Sequence, residues 1–151
     1  MQQPEIAIEL RQATSEDLEE LVTIRIAAMR QSLEKVGRFD PQRARARLLQ
    51  DFQPENTRCL VYDNRTIGFV ISVLDQEEIA LKHLYILPEF QNRGVGKSVL
   101  DQIIEQAKRE RRNIRLITLK ESRANDFYLK HGFKHVGSIE YDNVYVKRWS
   151  E

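Results

Sequence analysis

Eight consecutive residues have the types and spacing of an anion-binding turn: Gln91, Asn92, Arg93, Gly94, Val95, Gly96, Lys97 and Ser98. They stand between an apolar run and an amphipathic segment. A glycine-rich turn that opens a helix leaves several backbone N–H groups unpaired at the positive end of the helix dipole. Because Gly94 and Gly96 lack side chains, a phosphate could approach this backbone closely. The turn therefore predicts a phosphate-binding loop, although glycines kept only for a tight turn would give the same pattern.

Two common phosphate-binding motifs fit this turn only in part. A P-loop needs G-x-x-x-x-G-K-[ST], and Gln91 occupies the position of its first glycine. The 114–119 segment also lacks a final aspartate where a Walker B residue would stand. A Rossmann fingerprint needs a third glycine, where Val99 stands. A third pattern, Q/R-x-x-G-x-G, is matched outright by Gln91, Gly94 and Gly96.

The third pattern resembles the pyrophosphate loop of the GNAT superfamily of acyl-CoA N-acyltransferases, where it follows a strand ending in h-x-h-x-P. The stretch Leu84-Tyr85-Ile86-Leu87-Pro88 has that form. A second stretch, FYLKHGF over residues 127–133, is similar to the family's F-Y-x-x-x-G-F signature, and Ala124 precedes its tyrosine by four positions. With the order of elements below, the resemblance covers nearly the whole chain.

Composition narrows the class of protein. The chain of 151 residues is long enough for one domain with a sizeable core, which we expect to span residues 1–151. With 24 Lys and Arg against 23 Asp and Glu, no global field favours nucleic acid or an anionic membrane. A single Cys59 excludes an intramolecular disulfide and a multi-cysteine metal site, and we expect no metal. The polar start, Met1–Glu5, and the absence of a long apolar run lead us to expect a cytoplasmic protein.

The apolar pattern predicts a strand, two helices, a three-strand meander, a helix, a strand, a short helix and two last strands. The strands are expected at 6–11, 57–62, 66–74, 79–87, 114–119, 133–140 and 143–149. A helix between two of these strands implies a right-handed parallel crossover. This is an α+β (mixed α/β) order, and the resemblance implies a three-layer fold. Its mostly antiparallel sheet would have helices on both faces and one parallel pair splayed apart for the coenzyme.

Three local sequence signals predict where the first two helices begin and where one strand is irregular. Thr14 and Asp17 form a capping box for the first helix, which should end near Gly37. Asp40-Pro41 should open the second helix. Its expected buried stripe comprises Ala44, Leu48, Leu49 and Phe52. Gly68, early in a strand, suggests a bulge or a close approach of backbone.

The resemblance also implies how acetyl-CoA would be held. The Gln91–Ser98 loop would bind the pyrophosphate, with Arg93 and Lys97 adding charge. The backbone of Leu84, Tyr85 and Ile86 would pair with the pantetheine arm like an extra strand, and an N–H there would polarise the thioester carbonyl. Relatives often carry an asparagine where this chain has Glu121. Asn125, one helical turn before Tyr128, could supply that pantetheine contact instead.

Tyr128 matches the tyrosine that acts as general acid in this family. Its reference pKa of about 10 lies above that of a thiol, about 8.5, so it stays protonated at neutral pH and can donate to the departing thiolate. The base that accepts the proton of the amine is left open among Glu77, Glu78, His83, Glu121 and an ordered water.

The resulting hypothesis is an N-acetyltransferase that moves an acetyl group from acetyl-CoA to a primary amine by direct attack. The alternative is a non-catalytic acyl-CoA-binding regulatory domain that uses the same pocket. The acceptor stays open among small amines, amino acids, peptide N-termini and protein lysines, because such grooves are built from variable loops. A homodimer is one possible assembly.

Overall fold

The chain folds around one seven-stranded sheet. The structure, a computed structural model, describes residues 4–151, so the first three residues of the polar start lie outside the described residues. In chain order, the strands are β1 (Glu9–Gln12), β2 (Thr57–Tyr62), β3 (Arg65–Leu74), β4 (Glu78–Ile86), β5 (Asn113–Leu119), β6 (Lys134–Ile139) and β7 (Asp142–Lys147). The helices are α1 (Leu18–Lys35), α2 (Pro41–Asp51), α3 (Val95–Glu110) and α4 (Ala124–Lys130).

The sheet is mixed and mostly antiparallel, as predicted. Its strand order is β1-β2-β3-β4-β5-β7-β6, and only β4 and β5 pair in parallel. Tyr85 of β4 lies under the guanidinium of Arg25 from α1. The next residue, Ile86, contacts the start of α3 at Gly96. Since successive side chains of a strand point to opposite faces, α1 and α3 cover opposite faces of the sheet, which confirms the layered arrangement.

The parallel pair is short, and its strands then separate. Four residue pairs join β4 to β5, from Glu78 with Asn113 to Leu81 with Leu116. Beyond them β4 runs on to Ile86 and β5 to Leu119 without further pairing between the two. The splay expected of this pair is therefore present, and it opens at the carboxyl ends of both strands.

Both the bulge and the close backbone approach predicted at Gly68 of β3 are present. The register of β2 against β3 shifts beside it, because Leu60 pairs with Gly68 while Val61 pairs with Thr66. A Cβ on Gly68 would lie 2.5 Å from the carbonyl oxygen of Tyr85 on β4. Only glycine therefore allows the backbones of β3 and β4 to approach this closely.

The caps of the first two helices are also confirmed. The Thr14 N–H donates to the Asp17 carboxylate at 2.8 Å, and a single 3-10 turn over Ser15–Asp17 precedes α1. The Asp40 carboxylate accepts the N–H groups of Gln42 and Arg43, with Pro41 at the first helical position.

Three details of the sequence prediction are wrong. The first strand begins at Glu9 rather than Ile6, because the N–H of Ile6 donates to the carbonyl of Arg93 instead of joining the sheet. Leu49 is 45% exposed, since Ala44 and Leu48 already fill the inner face of α2. The last hairpin turns at Glu140 and Tyr141, one residue earlier than expected, and Glu140 adopts a positive φ of 47°.

Strand β6 closes one end of the sheet. Each of its residues is exposed, and its register against β7 shifts between His135 and Gly137.

Among residues 4–151, no helix is long and apolar enough to cross a membrane. Within the same range, no group of three or more His, Cys, Asp or Glu side chains is placed to hold a metal ion.

Candidate active site

The glycine-rich loop joins the end of β4 to the start of α3. The side-chain amide of Gln91 donates to the carbonyl of Ile86 at 2.9 Å, which ties the loop to the last residue of β4. The first α3 bond runs from the N–H of Ser98 to the carbonyl of Gly94. Within the described chain, no hydrogen bond satisfies the N–H groups of Val95, Gly96 and Lys97. The helix thus presents unpaired donors at its positive end, beside the carboxyl end of β4.

Glycine is required at the two positions of the loop for different structural reasons. Gly94 has a φ of +80°, a left-handed conformation that side chains disfavour. A Cβ on Gly96 would lie 3.3 Å from Cζ of Phe127 and 3.4 Å from Cδ1 of Ile86. Gly96 therefore lets α3 pack closely against α4 and β4, a contact that the sequence pattern did not reveal.

The polar side chains of the loop already have partners within the chain. Lys97 forms a 2.8 Å ion pair with Asp101, and that hydrogen bond raises the pKa of the lysine. The Arg93 guanidinium lies over the ring of Phe90, and its Nε donates weakly to the carbonyl of Pro4. Asn92 has a positive φ of 61° and is exposed, as is Ser98.

The backbone of Leu84, Tyr85 and Ile86 has a partner strand on one side only. On that side it pairs with Val70, Phe69 and Gly68 of β3. On the other side it faces the space left by β5, which has separated after Leu81. This free strand edge lies beside the amino end of α3, so the structure brings together the two segments that the sequence analysis assigned to the coenzyme.

Tyr128 is buried, and its ring packs against Phe133 and Tyr145. Tyr145 pairs with Leu116, the last residue of β5 that pairs with β4, so the tyrosine lies near the point where the two strands separate. Its hydroxyl makes no hydrogen bond to any described residue. Burial, with a smaller contribution from Tyr85, raises the pKa of the hydroxyl well above its ordinary value. The hydroxyl therefore stays protonated at physiological pH.

The side chain of Asn125 is committed to structural bonds. Its amide nitrogen donates to the carbonyls of Leu119 and Ser122 at 2.9 and 2.7 Å, and also to Lys120. Its oxygen accepts from the amide of Asn143 and the hydroxyl of Tyr145. Asn125 thus holds β5, α4 and β7 together, and its contact with pantetheine stays a prediction.

The candidate bases are spread over the molecule. Glu78 pairs with Arg115 and, like Glu77, stands at the amino end of β4, about 20 Å along the strand from Leu84. Glu121 is exposed just after β5. His83 is 4% exposed, and its Nε2 lies 2.9 Å from the carboxylate of Asp51. Burial, together with the charge of Arg25, lowers the pKa of His83 to about 4.

One residue beside the loop was missed. Glu5 packs against Gly94, where a Cβ would lie 3.1 Å from both Cγ and Cδ of the glutamate. No local pattern could signal this contact, because the neighbouring pair Pro4 and Arg93 is separated by 89 positions in the chain.

Comparison with known sequences identifies relatives over part of the chain. A family model described as acetyltransferase (GNAT) domain matches residues 55–135. The [ribosomal protein bS18]-alanine N-acetyltransferase of Haemophilus influenzae is 35% identical over 78 residues, which are 51% of this chain and 53% of that protein. The match thus spans about half the length of this curated relative.

Solved structures resemble the chain over nearly its whole length. The PaiA N-acetyltransferase of Thermoplasma acidophilum, in complex with coenzyme A, gives a TM-score of 0.74 at 20% identity, over 95% of this chain and 99% of that one. The ribosomal-protein-S18-alanine N-acetyltransferase of Escherichia coli gives 0.69 at 13% identity, over 96% of each chain. At such identities the likeness establishes the fold. Because the family model covers more than half of the residues, the chain belongs to the GNAT acetyltransferase family.

Proposed function

We propose that this protein is an N-acetyltransferase that moves the acetyl group of acetyl-CoA to a primary amine by direct attack on the thioester. The observation that carries the proposal is the position of the free edge of β4 beside the unpaired N–H groups of α3. One ligand with an extended amide arm and a pyrophosphate would satisfy both. The relatives that match the chain are named as acetyltransferases, and nothing observed favours a non-catalytic regulatory domain.

In this proposal the loop from Gln91 to Ser98 binds the pyrophosphate through backbone N–H groups. Gln91 holds the loop against Ile86, while Arg93 and Lys97 exchange their present partners for phosphate oxygens. Leu84, Tyr85 and Ile86 pair with the pantetheine arm. Asn125 keeps its structural bonds and reaches the arm only if one of them is replaced.

The chemistry follows from these positions. The neutral amine attacks the thioester carbonyl carbon, and a backbone N–H of β4 stabilises the oxyanion that forms. The C–S bond then breaks as the Tyr128 hydroxyl gives its proton to the departing sulfur, and Tyr128 takes a replacement proton from solvent. The amine loses its own proton to a base or to an ordered water, which leaves an amide and free coenzyme A. Glu77 and Glu78 stand far from this centre, so His83, Glu121 and water remain as acceptors of that proton.

The acceptor is proposed as a primary amine on a small molecule, a peptide or a protein. Two relatives are named as alanine N-acetyltransferases of ribosomal protein S18, so a peptide with a free alanine amine is the first acceptor to test. The proposal also includes a cytoplasmic location, and a homodimer is an assembly to be checked by light scattering.

The test begins with binding. Acetyl-CoA at a hundredfold over its Kd should stabilise the fold by about 2.7 kcal/mol, which is a visible shift in Tm. Turnover is then followed by thiol release with a panel of amines that includes the alanine peptide, a lysine peptide, free amino acids and polyamines. A Tm shift with ATP but not with acetyl-CoA would overturn the proposal. Tight coenzyme binding without turnover on every amine would favour the regulatory alternative.

A further inference from the structure

The segment Pro4–Ile6 lies across the glycine-rich loop and is here called the strap. The N–H of Ile6 donates to the carbonyl of Arg93 at 3.1 Å. The Nε of Arg93 in turn faces the carbonyl of Pro4 at 3.5 Å. The strap is thus held at both ends by a single loop residue, and its middle residue is placed directly over the loop.

That middle residue brings a negative charge to the loop. The carboxyl carbon of Glu5 would lie 3.1 Å from a Cβ on Gly94, the residue that caps α3. The Glu5 side chain is exposed, and it makes no hydrogen bond to the loop among the described residues. Its charge also contributes to raising the pKa of Lys97. A carboxylate is therefore near the unpaired N–H groups and the lysine without being bonded to them.

We propose that Glu5 is an internal competitor of the coenzyme pyrophosphate. This rests on the proposed function, because it assumes that the loop binds the coenzyme. In the free protein the carboxylate is attracted to the positive end of α3 and to Lys97. A pyrophosphate at the same N–H groups would lie within a few ångströms of it, and like charges at that distance repel. The Glu5 side chain must therefore leave Gly94 before the pyrophosphate binds, and this lowers the affinity for the coenzyme.

The test compares two substitutions with the same change in charge. Glu5→Gln should bind acetyl-CoA about three- to tenfold more tightly than the parent protein at low ionic strength, by calorimetry. The gain should shrink in half-molar salt, where screening shortens the reach of the charge. Glu9→Gln is the control, since Glu9 is exposed in β1, about 13 Å further along an extended chain.

A donor without a pyrophosphate shows whether Glu5 acts on the binding of the pyrophosphate or on the reaction in general. S-acetyl-pantetheine lacks the pyrophosphate, so Glu5→Gln should leave its kcat/KM unchanged while raising that of acetyl-CoA. An equal gain with both donors would overturn the proposal, as would an equal gain in Glu5→Gln and Glu9→Gln. An unchanged acetyl-CoA affinity in Glu5→Gln would overturn it too. Absence of coenzyme binding in the parent protein is a different result, because it would refute the proposed function itself.

Discussion

The Nε2 of His83 lies 2.9 Å from the carboxylate of Asp51, and this contact joins β4 to the last residue of α2. A neutral imidazole with its proton on Nε2 donates to that carboxylate. The other ring nitrogen is buried and has no partner among the described residues. A second proton on the ring would therefore be buried, with the charge of Arg25 nearby.

We predict that His83 makes the protein sensitive to acid. Its pKa is lowered to about 4, mainly by burial, while an unfolded histidine titrates near 6.5. Between those values the unfolded chain binds more protons, so the free energy of unfolding falls as the pH drops from about 6.5 toward 4. The loss by pH 4.5 should be on the order of 2 kcal/mol. Urea unfolding at several pH values measures it.

His83→Gln should flatten this dependence, and the exposed His135 supplies a matched control in His135→Gln. If the free energy of unfolding of His83→Gln depends on pH as that of the parent protein does, other groups cause the loss of stability in acid.

Tyr128→Phe tests the chemistry apart from binding. The ring and its packing against Phe133 remain, and only the hydroxyl is lost. If that hydroxyl protonates the thiolate, kcat should fall by roughly 10²–10⁴-fold while the coenzyme Kd changes little. Steady-state kinetics and calorimetry give the two quantities.

Tyr145→Phe is the control, because it also removes a buried tyrosine hydroxyl, which bonds Asn125. It should lower stability with little effect on kcat. An unchanged kcat in Tyr128→Phe, with chemistry rate-limiting, would make Tyr128 a packing residue.

Gly96→Val should damage the loop through packing. Its added carbons would meet Phe127 and Ile86, which must give way. Overpacking of this kind costs about 1–3 kcal/mol of stability. The displaced loop should bind acetyl-CoA at least about tenfold more weakly, since its N–H groups lose their alignment. Denaturant unfolding and calorimetry measure both effects.

A Phe127→Leu background makes room beside position 96 and should recover part of the loss in stability. Equal costs in the two backgrounds would show that the clash with Phe127 is not the cause.

Local chemistry explains which features the sequence could predict. The cap at Thr14 and the turn before α3 depend on short-range geometry, so the residue types alone indicate them. Gly68 is indicated because glycine is unusual inside a strand, although the backbone that approaches it belongs to Tyr85 of another strand. The bonds of Asn125 and the contact of Glu5 with Gly94 join distant parts of the chain, and a single sequence carries no sign of such pairs. Leu49 is apolar and fits the pattern of a core residue, yet it is exposed because its neighbour Leu48 occupies the inner face of α2.

The shape of β6 bears on how the protein behaves in concentrated solution. An outer strand offers free backbone groups to which a strand of another molecule could add. Val136 and Ile139, at 57% and 60% exposure, would strengthen such an attachment. The bulge between His135 and Gly137 breaks the regular spacing of that edge, and Lys134 adds a charge that would be buried on stacking. The irregularity thus disfavours the addition of a strand from another molecule, for which a flat and regular β6 would be a template.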